Sequence, residues 1–143
     1  MTHIVVLGAG LGGIIMAYEM KRKLQRDDRL TVVNQGSRYS FVPSNPWVAV
    51  GWRQPEDITV DLVPVLKQHG IALRPEGARR IHPEENRVEL NDGSKLVRGY
   101  VNVATGPDLA FDEVPGLGPN SHTQSICQID HAVGTKAAFD ALV

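Results

Sequence analysis

The stretch Gly8-Ala9-Gly10-Leu11-Gly12-Gly13 has the spacing Gly-x-Gly-x-x-Gly used to hold dinucleotides. Gly8 permits a tight turn, and Gly10 lets backbone N–H groups approach a pyrophosphate. Gly13 lets a helix pack closely on the preceding strand, while Leu11 and Gly12 open that helix, whose N-terminus supplies partial positive charge. The spacing by itself is a weak signal. Its place between an apolar run and a helical pattern favours a dinucleotide over a merely glycine-rich turn. A dinucleotide site normally has Asp or Glu at the end of the second strand, to accept hydrogen bonds from the adenosine ribose. Here Asn34 and Gln35 follow that strand. An amide hydrogen-bonds a ribose hydroxyl without bearing charge, and an Asn also starts turns; both readings remain open. Further along, Ala78 would offer backbone groups to adenine. Thr105 and Gly106 would bring backbone close to phosphate, as only small residues allow, or else form a tight loop without a ligand.

Cys127 and His131 are the candidates for thiol chemistry. A reactive thiol needs a depressed pKa, whereas a free cysteine is commonly a buried structural residue. One helix carrying both would bring His131 towards Cys127; a helix beginning nearer Asp130 would separate them and leave a solvated imidazole. The other histidines, His3, His69, His82 and His122, are scattered. No His-x-x-x-His or carboxylate pairing marks a metal site, and Glu84-Glu85 reads as a solvated turn.

Elements that would position these residues follow from the pattern. His3 to Leu7 reads as a strand buried on both faces. Leu11 to about Gln25 reads as a helix, with Lys21, Arg22 and Lys23 near its negative end. Leu30 to Val33 is a second buried strand, completing a βαβ unit. Tyr39 to Trp52 reads as a long, Pro-punctuated loop whose Trp47 and Trp52 either stack on a ligand or anchor the loop to a core. Asp61 to Gln68 is a short helix stopped by Gly70. Short strands follow at Ile71–Leu73, Arg79–His82, Arg87–Leu90 and Lys95–Val97, with Asn91-Asp92-Gly93-Ser94 as a hairpin turn. Tyr100 to Ala104 is a further buried strand, in which Asn102 is a polar group needing a partner. Asp108 to His122 reads as a linker, and Asp130 to Val143 as a helix weakened by Gly134. The fold class is α/β, with a Rossmann-like βαβ unit and a β-meander. That layout, running into Ala104-Thr105-Gly106, is the one used by two-dinucleotide-domain flavoproteins. FAD is therefore favoured over NAD(P), for which no Tyr-x-x-x-Lys or other hydride-transfer constellation is present.

Composition narrows the function classes. The chain has 143 residues, with 15 Lys and Arg against 16 Asp and Glu, a net charge of −1. Without a basic surplus, a general nucleic-acid binder is disfavoured. No apolar run approaches the ~18 residues of a membrane span, and Gly8 comes too early for a signal-peptide core. A single cysteine excludes an internal disulfide and a cysteine metal cage, and fits a reducing cytoplasm.

Taken in order, Phe41-Val-Pro-Ser-Asn-Pro-Trp-Val-Ala-Val-Gly-Trp52, Leu109-Ala-Phe-Asp-Glu-Val-Pro-Gly116 and Gln124-Ser-Ile-Cys-Gln-Ile-Asp-His-Ala132 resemble the N-terminal part of sulfide:quinone oxidoreductases. These are relatives of flavocytochrome c sulfide dehydrogenases and type II NADH dehydrogenases. The resemblance implies that Gly8, Gly10, Gly12, Asn34, Gln35, Ala78, Thr105 and Gly106 lie along FAD, with Val42 to Asn45 near the isoalloxazine ring. It implies that Cys127 corresponds to the first of the family's functional cysteines, and His131 to a histidine near sulfide. In that family sulfide attacks a cysteine-based sulfur bridge beside the flavin, and electrons pass through FAD to a membrane quinone. The two cysteines of the main sulfur transfer would lie beyond Val143, as would the quinone pocket and the membrane-binding segments.

Residues 1–107 are thus expected to be the N-terminal part of an FAD-binding domain, and 108–143 a linker and the start of the next segment, with the second domain absent. An incomplete domain of this kind is expected to self-associate or to pair with a companion chain that covers exposed core. It is expected in the cytoplasm, or on a membrane through parts or partners not in the chain. The alternative is a non-catalytic nucleotide-binding or interaction protein of the same fold.

Overall fold

The computed structural model describes residues 1–142. It falls into two compact units, one made of Met1–Tyr39 with Asp61–Gly106, the other of Ser40–Val60 with the residues from Pro107 onward. Strand β1 (His3–Leu7) runs into the glycine turn and helix α1 (Leu11–Lys23), and β2 (Arg29–Val33) follows. Strand β3 (Arg38–Ser40) leads out of the first unit, and a 3-10 turn over Val42–Ser44 passes into the short helix α2 (Asn45–Ala49). Strand β4 (Thr59–Asp61), hydrogen-bonded to β3, leads back into α3 (Leu62–Gln68), then β5 (Ala72–Arg74). The meander is β6 (Ala78–His82), β7 (Arg87–Leu90) and β8 (Lys95–Val97); β9 (Tyr100–Val103) returns to the main sheet, and α4 (Ile129–Asp140) belongs to the second unit.

The first unit is built on a four-stranded sheet of order β5-β2-β1-β9, in which each pairing is parallel. Side chains alternate across a strand, so each strand feeds two layers. Ile4 and Val6 of β1, with Leu30 and Val32 of β2, pack with Ala17 of α1 and Leu62 and Leu66 of α3. Val5 and Leu7, with Val33, face the other way onto Val88 and Leu90 of the meander. Burial on both faces explains the apolar run Ile4–Leu7 of β1 and that of β2, which only the buried Thr31 interrupts. His3 serves this packing: Nε2 lies 2.8 Å from Thr31 Oγ1 and Nδ1 lies 2.7 Å from the Val97 carbonyl, joining the sheet to β8. Helix α3 begins where Asp61 Oδ1 accepts the Val63 N–H at 3.0 Å. In the hairpin turn Asp92 Oδ1 accepts both the hydroxyl and the N–H of Ser94, at 2.6 and 2.9 Å. Those bonds, the hydroxyl's first, hold the Asp92 carboxyl below its ordinary range.

Several boundaries differ from expectation. The Tyr39–Trp52 segment is not one long loop: it contains the end of β3, the 3-10 turn and α2. Pro46 sits in the first turn of α2, where a missing N–H costs nothing. Helix α1 stops at Lys23 because Leu24 is extended (φ −70°, ψ 144°). Asn102 is half-buried rather than enclosed, since β9 is an outer strand. The 108–122 stretch contains a 3-10 turn at Phe111–Glu113. Helix α4 spans Ile129–Asp140; its expected end at Val143 lies outside the described residues. In the second unit α4 packs Ala132 and Ile129 against Val48, Ala49 and Ile58. Trp52 there is 78% exposed, and Trp47 lies under the Arg53 guanidinium, 4.8 Å from the ring centre. Neither Trp is buried as an anchor.

Candidate functional site

The glycine turn uses its four glycines in two different ways. Gly8 has φ +94°, and a Cβ there would meet the Ala104 carbonyl oxygen at 2.4 Å. A Cβ on Gly13 would lie 1.9 Å from the Gly8 carbonyl oxygen. Both positions need glycine for the protein's own packing. Gly10 (φ −68°, ψ −176°) and Gly12 are the opposite: apart from the adjoining main chain, nothing in the protein lies within 4 Å of where their Cβ would stand. The protein has no steric reason for glycine at these two positions. The adjacent start of α1 has no side-chain cap and no acidic residue in its first turn, so its N–H groups remain available to an anion.

Asn34 holds this turn from the end of β2. Its Oδ1 accepts the Ala9 N–H at 2.9 Å, while Nδ2 donates to the Gly36 carbonyl at 3.1 Å and reaches the Gln35 carbonyl at 3.4 Å. Its own N–H donates to the Arg74 carbonyl at 3.0 Å. The turn-forming role left open by the residue type is therefore realised, and it needs a donor and an acceptor on one side chain. Gln35 forms an isolated antiparallel bridge with Glu76.

Beside the turn is a cavity of about 190 Å³ lined by Gly8, Asn34, Gln35, Ala78 and Thr105, together with Gly77 and Asn91. The last two were missed from the sequence, where Asn91 reads only as a turn residue. In the fold Asn91 donates through Nδ2 to the Glu76 carbonyl at 2.8 Å and through its N–H to the Gly77 carbonyl at 3.1 Å. The hairpin thereby closes one wall. Gly106 (φ +75°) follows Thr105, with open space where its Cβ would be. Leu11 is exposed at the start of α1. The dinucleotide candidates Gly8, Gly10, Leu11, Gly12, Gly13, Asn34, Gln35, Ala78, Thr105 and Gly106 thus share the first unit. They sit where an open parallel sheet binds ligands, beyond the C-terminal ends of its strands.

Val42, Asn45, Cys127 and His131 belong to the second unit. Val42 is exposed, and Asn45 is fully buried. Asn45 Nδ2 donates to the Ile126 carbonyl at 3.0 Å, while its buried Oδ1 has no partner. Cys127 is exposed rather than a buried structural thiol, and it precedes α4 instead of lying on it. His131 is in the first turns of α4, its ring 5.7 Å from that of Phe111. Ser125 connects the two: its Oγ accepts the Cys127 N–H at 3.3 Å and lies 3.2 Å from His131 Nδ1.

Among the described residues the one grouping with metal-ligand reach is His82, Glu84 and Glu85. Both oxygens of Glu85 are already taken by Arg87, at 2.6 and 3.1 Å, and this pairing holds the Glu85 carboxyl low. A cation is already in place there, so the grouping is an ion-pair network of the meander.

No family model matches the chain. The chain is 37% identical over 140 residues to the sulfide-quinone reductase of Aquifex aeolicus, a match that covers 98% of this chain and 32% of that protein. It is 28% identical over 124 residues to the mitochondrial sulfide:quinone oxidoreductase of Dictyostelium discoideum, covering 83% of this chain and 26% of that one. The X-ray structure of the Aquifex aeolicus sulfide:quinone oxidoreductase superposes with a TM-score of 0.89 at 36% identity, covering 99% of this chain and 32% of the other. The chain therefore spans about a third or less of the length of the relatives it matches.

Proposed function

We propose, from the premise that this chain is homologous to sulfide:quinone oxidoreductases over about a third of their length, that it forms the FAD-binding part of such a flavoprotein. The whole protein would oxidise sulfide to polysulfide and pass the electrons to a quinone. The observation that supports this reading most is the split among the glycines: Gly8 and Gly13 are required by packing, Gly10 and Gly12 by nothing in the protein.

FAD, when bound, would supply an acceptor of two electrons that can pass them on to a second acceptor. The chain's own part is binding and orientation. The uncapped N–H groups at the start of α1 would face the pyrophosphate, and Asn34 keeps the turn in shape for them. Ala78 and Asn91 would border the adenine, and Thr105 and Gly106 would follow the phosphates and the ribityl chain. The second unit would present Cys127 and His131 as its sulfide-handling groups. With one cysteine, the 143-residue chain has no internal partner for a sulfur bridge, so it does not complete sulfide oxidation alone. The test is reconstitution: the purified chain mixed with FAD and passed through gel filtration should keep a flavin absorption band near ~450 nm. Elution of folded, colourless chain would refute the reading.

Among the described residues the outer edge of β9 has no strand partner, and Tyr100 and Val103 on it are exposed. Such an edge invites added strands. A second copy or a companion chain would cover it, and light scattering at micromolar concentration should show self-association of the isolated chain. A monodisperse monomer would contradict this. No helix among the described residues is long and apolar enough to cross a membrane.

A further inference from the structure

We propose that Ser125 is the positioning residue of the second unit, setting which nitrogen of His131 bears the hydrogen and tying that imidazole to the backbone of Cys127. Its importance for sulfide chemistry rests on the functional reading above; its geometry does not. A serine hydroxyl has one hydrogen to give and two lone pairs to accept with. One lone pair of Ser125 Oγ takes the Cys127 N–H at 3.3 Å. The hydroxyl hydrogen then has one neighbour described for it, His131 Nδ1 at 3.2 Å. Donation from the hydroxyl to Nδ1 satisfies all three groups at once. It makes Nδ1 the acceptor and leaves the hydrogen of the neutral ring on Nε2. The reverse assignment, Nδ1–H donating to Oγ, would leave the serine hydrogen with no described acceptor.

The main chain around Ser125 is held as firmly as its hydroxyl. Thr135 Oγ1 lies 2.8 Å from the Ser125 carbonyl and 2.9 Å from the His131 carbonyl, so one hydroxyl on α4 joins the loop to the helix turn bearing the imidazole. The buried Asn45 amide fixes the next carbonyl, that of Ile126. Ser125, Ile126 and Cys127 are thus each fastened, through a carbonyl or an N–H, while the Cys127 side chain stays exposed. His131 itself lines a cavity of about 280 Å³ with Asp108, Phe111 and Gln128. An imidazole with its hydrogen on Nε2 has a donor to offer an anionic sulfur species; with the hydrogen on Nδ1, that same nitrogen would be an acceptor and repel one. The hydroxyl of Ser125 therefore decides what His131 can present.

The test is nitrogen NMR of the full chain labelled at histidine, at a pH where the ring is neutral. The expected spectrum shows His131 with Nε2 protonated and Nδ1 bare. Ser125→Ala should give a mixture of the two tautomers, and Ser125→Thr, which keeps the hydroxyl, should restore the wild-type pattern. A wild-type ring protonated on Nδ1 would overturn the proposal, even if Ser125→Ala fails to fold. So would a folded Ser125→Ala chain with the wild-type pattern. FAD binding is read separately by its absorption band. A chain with the expected tautomer and no flavin would sink the flavoprotein reading while leaving this one standing.

Discussion

Gly8→Ala and Gly13→Ala should unfold or severely destabilise the first unit, whereas Gly10→Ala and Gly12→Ala should fold normally and lose FAD. At Gly8 an alanine meets two penalties, a left-handed φ of +94° and a Cβ 2.4 Å from a carbonyl oxygen. The first costs roughly 1–2 kcal/mol and the second about 1–3 kcal/mol. At Gly13 the Cβ would lie 1.9 Å from backbone, which cannot swing aside as a side chain can. Gly10 already has a φ of −68° that alanine adopts freely, and Gly12 lies inside α1, where alanine gains about 0.5–1 kcal/mol of helix stability. Gly12→Ala should therefore melt at or above the wild-type temperature, and Gly10→Ala, at the N-cap of α1 where alanine caps less well, only slightly below it. Their FAD affinity should fall about tenfold or more, the equivalent of about 1.4 kcal/mol, because on the proposed reading a methyl group would stand where the pyrophosphate would approach. Thermal melts and flavin titration of the same four proteins check both halves. Loss of the fold in all four, or full FAD binding by Gly10→Ala and Gly12→Ala, would show that the glycines serve packing alone.

Asn34→Asp should weaken the fold, although it installs the acid that dinucleotide sites commonly carry. One carboxylate oxygen would keep the Ala9 N–H, but the other would replace Nδ2 and face the Gly36 carbonyl at 3.1 Å. A donor–acceptor contact becomes an acceptor–acceptor one, and the carbonyl loses its partner. The expected cost is about 1–3 kcal/mol, a drop of several degrees in melting temperature. Asn34→Ala, which loses the contacts without adding repulsion, should fall between the two. A melting temperature for Asn34→Asp equal to that of the wild type would mean that the amide hydrogens do not matter to the turn.

The scaffold was largely legible in the residues because the physics there is local. Strands β1, β7 and β8 have the expected ends: the apolar run of β1 stops at the glycine turn, and β7 and β8, alternating in burial, flank the Asn91–Ser94 turn. What stayed hidden depended on distant partners. Asn34 reads equally as a ribose ligand or a turn residue; a contact to Ala9, 25 residues away, uses its Oδ1, while Nδ2 is taken by the Gly36 carbonyl. Helix α2 has five residues, too few to show a helical period, and Pro46 in its first turn looks like a breaker. Asn45 lies in that same segment and nothing in its type announces complete burial against Ile126. Cys127 leans the other way: its type favours burial, yet it lies on the loop before α4 that Ser125 and Asn45 fasten. The wall formed by Asn91 and Gly77 required the meander to fold back beside β2, a long-range event that spacing does not encode.

Titration of the 143-residue chain with FAD, read by quenching of flavin fluorescence, tests the central claim most directly. The expected result is saturable binding that ends at one FAD per chain and is competed by ADP, since on the proposed reading the first unit would hold the adenosine and pyrophosphate end. Folded chain that shows no saturable quenching, or quenching that ADP leaves untouched, would contradict it.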